Sequence, residues 1–145
     1  LPSATDIFVK KYDASGTPLW TALFNGSLNK ADYVYSGGLA LDNNGNVYAL
    51  GIANDNDIWS HGGNADAVLL KYNSAGVLQW TRYIAGTSND IDYPDGIVID
   101  PLNNIYISCY IKNAVTNYDG FLAKYNTNGD SVWVKRLNGS ANLND

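Results

Sequence analysis

DAVLLKYNSAGVLQWTRYIAG, residues 66–86, is one of three copies of the same pattern, and this repeat decides the fold. The other copies are DIFVKKYDASGTPLWTALFNG at 6–26 and DGFLAKYNTNGDSVWVKRLNG at 119–139. In each copy an Asp is followed five residues later by Lys and then Tyr, and an Asp or Asn with a Gly comes next. A Trp lies four residues after that Gly, and another Gly lies six residues beyond the Trp. A repeat of this size indicates an array of similar structural units.

Each copy has the pattern of a β-hairpin. In the first copy the predicted strands cover 7–12 and 18–24, and Asp13 and Gly16 lie in the turn between them. Asp or Asn favours such a turn because its side chain bonds nearby backbone N–H groups, and Gly adopts the positive φ that a tight reversal needs.

A second repeated unit lies between the hairpins. The segment GLALDNNGNVY at 38–48 aligns with GIVIDPLNNIY at 96–106, so that Asp, Asn and Tyr share one spacing. This pattern again predicts strand, turn and strand, at 37–42 with 46–53 and at 95–100 with 104–111. Helical periodicity is missing throughout the sequence.

The predicted fold is therefore all-β. It consists of one hairpin followed by two units of four antiparallel strands, about ten strands in total. Four strands in a unit of ~40–50 residues are typical of a β-propeller blade. The predicted organisation is an outer hairpin with its connection at 1–36, a second blade at 37–94 and a third blade at 95–145, all in one propeller segment.

The quoted pattern resembles the SBBP-type β-propeller repeat of bacterial proteins. This resemblance covers nearly the whole chain, and it implies a fold rather than an activity, because propellers host many functions. It brings no catalytic motif or cofactor to carry over, and it implies a secreted or cell-surface bacterial protein.

The predicted array is incomplete, because a closed propeller has about four to eight blades. Two interpretations stay open: the chain is a segment of a longer propeller, or copies of it associate into a ring. In both, the expected partners are neighbouring blades, from the same longer chain or from other subunits.

Composition excludes some classes of partner. The net charge of −5 argues against nucleic acid, which favours basic surfaces. No apolar run approaches the ~18 residues of a membrane span, so this segment is not expected to insert into a membrane. The single cysteine, Cys109, lies in an apolar strand pattern and is expected to be a buried, inert thiol.

Loops whose length differs between repeats are where a binding site is expected, since they vary on a constant scaffold. We call this end of the sheets the variable-loop face, and it comprises 25–36, 54–65, 85–94, 112–118 and 138–145. Its candidate residues for binding a ligand or partner are Asp32, Tyr35, Trp59, His61, Asp90, Tyr93 and Tyr118. Trp59 stands out because, unlike the other three tryptophans, it has no equivalent in the repeat. An exposed Trp can stack on a sugar ring or anchor a protein partner.

No metal or cofactor site is predicted. Asp55 and Asp57 resemble a fragment of a calcium-binding loop, but the Gly and distal Glu of that motif are missing. His61 is the only histidine, and no serine or cysteine motif accompanies it to suggest a catalytic group.

The repeated residues are expected to maintain the blades. The repeated lysines are predicted to pair with the repeated Asp42 or Asp100. These structural positions are Lys11, Tyr12, Trp20, Asp42, Lys71, Tyr72, Trp80, Asp100, Lys124, Tyr125 and Trp133.

The leading functional hypothesis is a noncatalytic scaffold or interaction module of a secreted or cell-surface protein. One alternative is a lectin-like propeller that binds glycans through the variable-loop face. Another is a propeller lyase or hydrolase with its site near the axis. The enzyme hypothesis is less favoured, because the predicted inner strands offer mainly apolar side chains.

Overall fold

A computed structural model describes residues 5–28, 30–55, 65–84, 91–112 and 118–137. These residues form ten β-strands and no helix, which confirms the predicted all-β fold. The strands are β1 (Ile7–Tyr12), β2 (Pro18–Phe24), β3 (Ala31–Leu41), β4 (Val47–Asp55), β5 (Asp66–Tyr72), β6 (Leu78–Ile84), β7 (Tyr93–Ile99), β8 (Ile105–Lys112), β9 (Tyr118–Tyr125) and β10 (Ser131–Leu137).

The strands form one two-stranded and two four-stranded antiparallel sheets. The first sheet is β1-β2, the second is β3-β4-β5-β6 and the third is β7-β8-β9-β10. All strands within a sheet follow chain order, as expected for successive propeller blades, and we refer to the sheets as blades 1, 2 and 3.

The innermost strand of blade 2 is longer than the sequence predicted. Strand β3 starts at Ala31 rather than at residue 37, and its first part pairs with the end of β4. The register shifts between Val34 and Leu39, and Gly37 has a φ of 81° within this irregularity. Gly37, the first residue of the predicted strand, therefore lies inside a bulged strand, where its positive φ is needed.

The repeated Asp, Asn and Tyr of the inner hairpins form one hydrogen-bonded turn. Asp42 Oδ1 accepts hydrogen bonds from the backbone N–H groups of Asn44 and Asn46. Its Oδ2 accepts from the Asn46 side chain at 2.7 Å and from the Tyr48 hydroxyl at 3.1 Å. Asp100 makes the equivalent four bonds in blade 3. The spacing that the two units share is thus explained by the turn itself.

The apolar core lies between successive sheets. We call the side of a sheet that faces the next blade its leading face, and the opposite side its trailing face. Ile7 and Val9 on the leading face of blade 1 join a buried cluster with Val68 and Leu70 of blade 2. A larger cluster fills the space between blades 2 and 3. Apolar side chains that alternate along each strand therefore pack between neighbouring sheets and hold the blades together.

The repeated tryptophans connect each blade to a turn of the next blade. Trp20 Nε1 donates to the Ser74 carbonyl at 3.0 Å, and Trp80 Nε1 donates to the equivalent Thr127 carbonyl at 3.2 Å. The Trp20 ring lies against Gly76, where an added Cβ would meet Trp20 Cδ2 at 2.6 Å. We call the turn between the last two strands of a blade its outer turn. The glycine of this turn is therefore needed for two reasons: it adopts a positive φ, and it leaves the space that the tryptophan ring occupies.

The repeated lysines do not pair with the repeated aspartates, so that prediction is wrong. Lys71 Nζ donates to the Thr127 carbonyl at 2.7 Å and lies 5.4 Å from the centre of the Tyr48 ring. Lys124 Nζ lies 5.2 Å from the ring of Tyr106. The aspartates are already occupied by the hydrogen bonds of their own turns, so each of these lysines packs on the tyrosine that bonds to the aspartate instead.

Arg82 reinforces the contact between blades 2 and 3. Its guanidinium donates to the carbonyls of Gly129 and Asn128, and it lies 5.3 Å from the Trp80 ring. The other copies have Ala22 and Lys135 at the equivalent positions, so the repeat contains no signal for this contact.

Replacing Gly76 with Ala tests the tryptophan contact, and Gly16→Ala is its matched control. Both glycines have a φ near 85°, so both variants lose about 1 kcal/mol to backbone strain. Only at Gly76 would the added methyl group collide with a tryptophan. We expect Gly76→Ala to lower the free energy of unfolding, measured in urea, by about 1–3 kcal/mol more than the control does. Equal losses would contradict the contact.

The hydrogen bonds of the Asp42 turn predict that the stability of the fold depends on pH. Burial raises the pKa of Asp42, but the hydrogen bonds from Asn46, Asn44 and Tyr48 outweigh it, so the pKa lies below its ordinary value. A folded-state pKa below the unfolded value stabilises the fold above about pH 4, and this contribution disappears as the pH falls through the folded-state pKa.

We therefore expect Asp42→Asn to lower the free energy of unfolding by about 1–3 kcal/mol at neutral pH, since a charged acceptor is lost. Urea unfolding at a series of pH values should show the stabilities of the wild type and this variant converging as the pH falls below about 4 and through the folded-state pKa of Asp42. The exposed Asp6→Asn is the control and should change stability by less than about 0.5 kcal/mol. A difference that stays constant with pH would rule out the charge of Asp42 as its cause.

Candidate functional site

The predicted site residues are only partly within the described structure. Trp59, His61, Asp57 and Asp90 lie outside the described residues, and their predicted roles stay predictions. Tyr35 lies on β3 and Asp55 lies at the end of β4, and for both only the strand is described. The candidates whose side chains are described are Asp32, Tyr93 and Tyr118.

Asp32 is buried and engaged in backbone hydrogen bonds, with an exposed fraction of 0%. Its Oδ2 accepts from the N–H of Gly26, and its Oδ1 accepts from the N–H of Asn54 at 2.8 Å. Asn54 Oδ1 in turn accepts from the N–H of Leu28 at 3.0 Å. These bonds join the connection before blade 2 to the end of β4. In this structure Asp32 fixes the loop from inside and is not available to contact a partner.

Gly26 belongs to the same network. A Cβ at Gly26 would lie 2.5 Å from Asn54 Oδ1 and 2.7 Å from Asp32 Oδ1, which leaves no space for a side chain. The glycine that ends the repeated pattern is thus needed for the close approach of the two polar side chains.

Asp92 of blade 3 repeats part of this arrangement. It is buried, and its Oδ1 accepts from the N–H of Lys112 at 3.0 Å. Its own N–H donates to Ala65, as that of Asp32 donates to Thr5. The sequence held a signal for this role, because an Asp follows the last Gly of each repeat by six residues at Gly26, Gly86 and Gly139.

The electrostatics of Asp32 fit a structural role. Burial raises the pKa of its carboxyl group, while the hydrogen bonds from Gly26 and Asn54 act in the opposite direction. A raised carboxylate pKa in a cleft can indicate a catalytic acid. Here both oxygen atoms already accept backbone hydrogen bonds, so the carboxylate is directed into the protein.

Tyr93 and Tyr118 come together at the variable-loop face of blade 3. Their ring centroids are 5.7 Å apart with an interplanar angle of 54°, and both residues are half-buried. Lys112 Nζ lies 5.2 Å from the Tyr118 ring. Tyr93 also packs against a small buried cluster that includes Ile52 and Ile91. We call Tyr93, Lys112 and Tyr118 the tyrosine pair and its lysine.

This arrangement suits binding better than catalysis. Tyrosine rings offer apolar faces and a polar end, a combination that is enriched at interfaces, and their packing on a core cluster limits the entropy lost on binding. Within the described part of the chain, no group of three or more His, Cys, Asp or Glu side chains is placed to hold a metal ion. Among those residues there is also no helix long and apolar enough to cross a membrane.

The folded units define the class of the protein: successive four-stranded antiparallel sheets packed face to face are the blades of a β-propeller. Comparison with known families agrees. Residues 79–113, which extend from β6 to the end of β8, match the SBBP family model, described as a β-propeller repeat. The resemblance noted in the sequence is thereby confirmed.

One curated relative is named for its WD repeats. It is an uncharacterized WD repeat-containing protein of Acanthamoeba polyphaga mimivirus, 26% identical over 166 aligned residues. The alignment covers 89% of this chain and 11% of that protein, so the chain spans about a tenth of the relative's length.

Cys109 offers a test of the buried face between blades 2 and 3. Its side chain is only 2% exposed, and burial, with smaller contributions from Asp92 and Asp95, raises the pKa of the thiol to about 12. Because the thiolate is the reactive form, we expect an aromatic disulfide reagent to leave the folded protein unmodified near pH 8 and to label it in urea. Rapid labelling of the folded protein would show that the blades separate readily.

Proposed function

We propose that this chain is a noncatalytic propeller segment that binds a protein partner through the variable-loop face. The observation that supports this best is the tyrosine pair and its lysine. Two adjacent half-buried rings with a neighbouring cation form a ready-made contact surface, and tyrosine is enriched at protein interfaces. The match to a β-propeller repeat and the similarity to a protein named for WD repeats support a scaffold of this kind.

The proposal extends to the loops that were predicted to bind. Trp59 and His61 belong to the variable loop at 54–65, which connects two strands whose ends lie at the same face as Tyr93. We propose that this loop supplies further contacts beside the tyrosine pair.

Glycan binding is the second candidate, because the face of a tyrosine ring can also stack on a sugar. The same Tyr93 and Tyr118 would then form the platform, with Trp59 beside it. The two candidates share residues and differ in ligand, so one set of variants can test both.

We also propose a location outside the cell or at its surface. The support is the resemblance to SBBP-type repeats of secreted and surface-attached bacterial proteins. Detection of the protein in the cytoplasmic fraction of fractionated source cells would contradict this part of the proposal.

The test places a photoreactive benzoylphenylalanine at position 118 and, as a control, at position 102. Leu102 is 82% exposed and lies in the tight turn at the opposite end of the same blade. We expect position 118, and not position 102, to cross-link to a discrete protein in an extract of the source cells. Mass spectrometry then identifies that protein, and it is purified for direct binding measurements.

Direct binding should depend on the tyrosine pair. Tyr93→Ala and Tyr118→Ala should each weaken the affinity for the purified partner roughly tenfold or more, as is typical of interface hot spots, while Leu102→Ala should leave it unchanged. Equal cross-linking from both positions would contradict the protein-binding proposal. Binding on a glycan array that the same tyrosine variants abolish would favour the second candidate.

A further inference from the structure

Arg82 shows how this fold holds a guanidinium group between two blades. Its Nε donates to the carbonyl of Gly129 at 2.7 Å, and its Nη2 donates to the carbonyl of Asn128 at 3.1 Å, both in the outer turn of blade 3. The guanidinium carbon lies 5.3 Å from the centre of the Trp80 ring. Burial raises the pKa of Tyr125 while the charge of Arg82 acts in the opposite direction, so the guanidinium is close enough to act on that hydroxyl. An aromatic face, two carbonyls and a phenol therefore lie around this cation.

The contact between blades 1 and 2 has the same groups without the arginine. Its aromatic platform is Trp20, whose ring lies against Gly76 in the outer turn of blade 2. The carbonyls of Ala75 and Gly76 are the equivalents of the two that Arg82 binds, and among the described residues no side chain donates to either. The residue equivalent to Arg82 is Ala22, whose side chain ends at Cβ. The acceptors for a guanidinium are thus present, whereas its donor is not part of this blade.

The Tyr72 hydroxyl independently indicates a polar ligand at this contact. Tyr72 has the position of Tyr125 and is 1% exposed within the apolar cluster that blades 1 and 2 share. Within the described part of the chain, its hydroxyl is the one buried side-chain N or O atom without a hydrogen-bond partner. A hydroxyl that burial removes from water normally has such a partner. At the contact of blades 2 and 3, the corresponding hydroxyl lies near Arg82.

We infer that the contact between blades 1 and 2 binds a guanidinium group, supplied by an arginine side chain of another protein. The group stacks on Trp20 and donates to the carbonyls of Ala75 and Gly76, and the Tyr72 hydroxyl is a further acceptor. This site lies at the outer turns, at the opposite end of the sheets from the variable-loop face. It therefore does not depend on the proposed function.

A guanidinium fits these groups better than an ammonium. Its planar fork donates several N–H groups in fixed directions and its faces stack on aromatic rings, whereas an ammonium is a compact point charge. Backbone carbonyls only accept hydrogen bonds, and the net charge of −5 favours a cationic ligand. Lys11, the equivalent of Lys71, does not exclude a second cation, since Lys71 and Arg82 both donate to the outer turn of blade 3.

The open position of the site favours an arginine that belongs to a protein. The bond from Arg82 to Asn128 lies at the surface, and the equivalent Ala75 is exposed. Ala22 is half-buried, so a ligand enters from the solvent side and its remaining atoms stay outside the blades. Free arginine also carries a carboxylate, which the acidic chain repels, whereas an arginine within a protein does not.

Proton–nitrogen correlation NMR tests the site directly. The probe is N-acetyl-arginine amide, and N-acetyl-lysine amide is the control of equal charge. We expect the arginine probe to shift the indole N–H signal of Trp20 and the backbone N–H signals of Gly76 and Val77 in a saturable way. The dissociation constant should be on the order of 1–10 mM, as for a small ligand with few contacts, and the lysine probe should bind at least roughly fivefold more weakly.

Two arginine substitutions on opposite faces of β2 add the same charge in different places. Ala22→Arg places a guanidinium of the chain itself in the site and should abolish binding of the probe. Leu23→Arg is the matched control, because Leu23 is 70% exposed on the other side of the strand, and it should leave binding unchanged. Tyr72→Phe should weaken binding severalfold while thermal unfolding shows a fold at least as stable, since the substitution removes only the buried hydroxyl.

The reciprocal variant, Arg82→Ala, removes the arginine between blades 2 and 3. If the groups around Arg82 recognise a guanidinium, the probe should now also shift the indole N–H of Trp80 and the backbone N–H of Gly129. Neither signal should move in the wild type, where Arg82 occupies these groups. Circular dichroism confirms that each variant is folded.

The inference is overturned if the arginine probe leaves the Trp20 signal unchanged, if both probes bind equally, or if Ala22→Arg binds the probe like the wild type. Free arginine separates the two sources of the ligand, and we expect it to bind more weakly than the capped amide. Tighter binding of free arginine would contradict the assignment to a protein partner.

Discussion

The contact on which this structure depends is the one between a tryptophan and the outer turn of the next blade. Its geometry explains several repeated residues together. The indole N–H donates to a backbone carbonyl of the turn, so the carbonyl of Ser74 or Thr127 must point towards the tryptophan. The ring needs a neighbour without a Cβ, so Gly76 and Gly129 are required. Lys71 donates to the same carbonyl as Trp80. Packing between blades is otherwise non-directional, and these bonds fix how one sheet lies on the next.

Four aspartates of the described structure, Asp32, Asp42, Asp92 and Asp100, support the fold in two different ways. Asp42 and Asp100 accept hydrogen bonds within their own turns, which outweigh burial and hold the pKa of each carboxyl low. Asp32 and Asp92 are buried at the other end of the sheets, where they accept backbone N–H groups that strand pairing leaves unused. A buried polar group is tolerated when its bonds are made, and here the bonds also hold the loops in place.

The sequence predicted the strands and turns well because their signals are local. Alternation, Asp–Gly turns and the repeat itself gave the strands of every sheet, including the bounds of β1 and β2. The sequence did not predict the hydrogen bonds that a side chain makes to another blade. Lys71 and Arg82 reach turns more than 45 residues away, and no local pattern reveals such a distance. The sequence predicts Asp32 as a binding residue of a variable loop, but its carboxylate accepts hydrogen bonds from Gly26 and Asn54, which lie in two different segments of the chain. The pairing of Tyr93 with Tyr118 depends on strand order and could only be seen in the folded sheet.

A repeated residue therefore depends on its neighbour for its role. Trp80 donates its Nε1 to the carbonyl of Thr127 in the next blade, and Lys71 donates to the same carbonyl. Trp133 has the same register in blade 3 and packs on Tyr106. The repeat specifies the strands and turns of each blade by local signals, whereas a contact between blades exists only where both blades supply its residues.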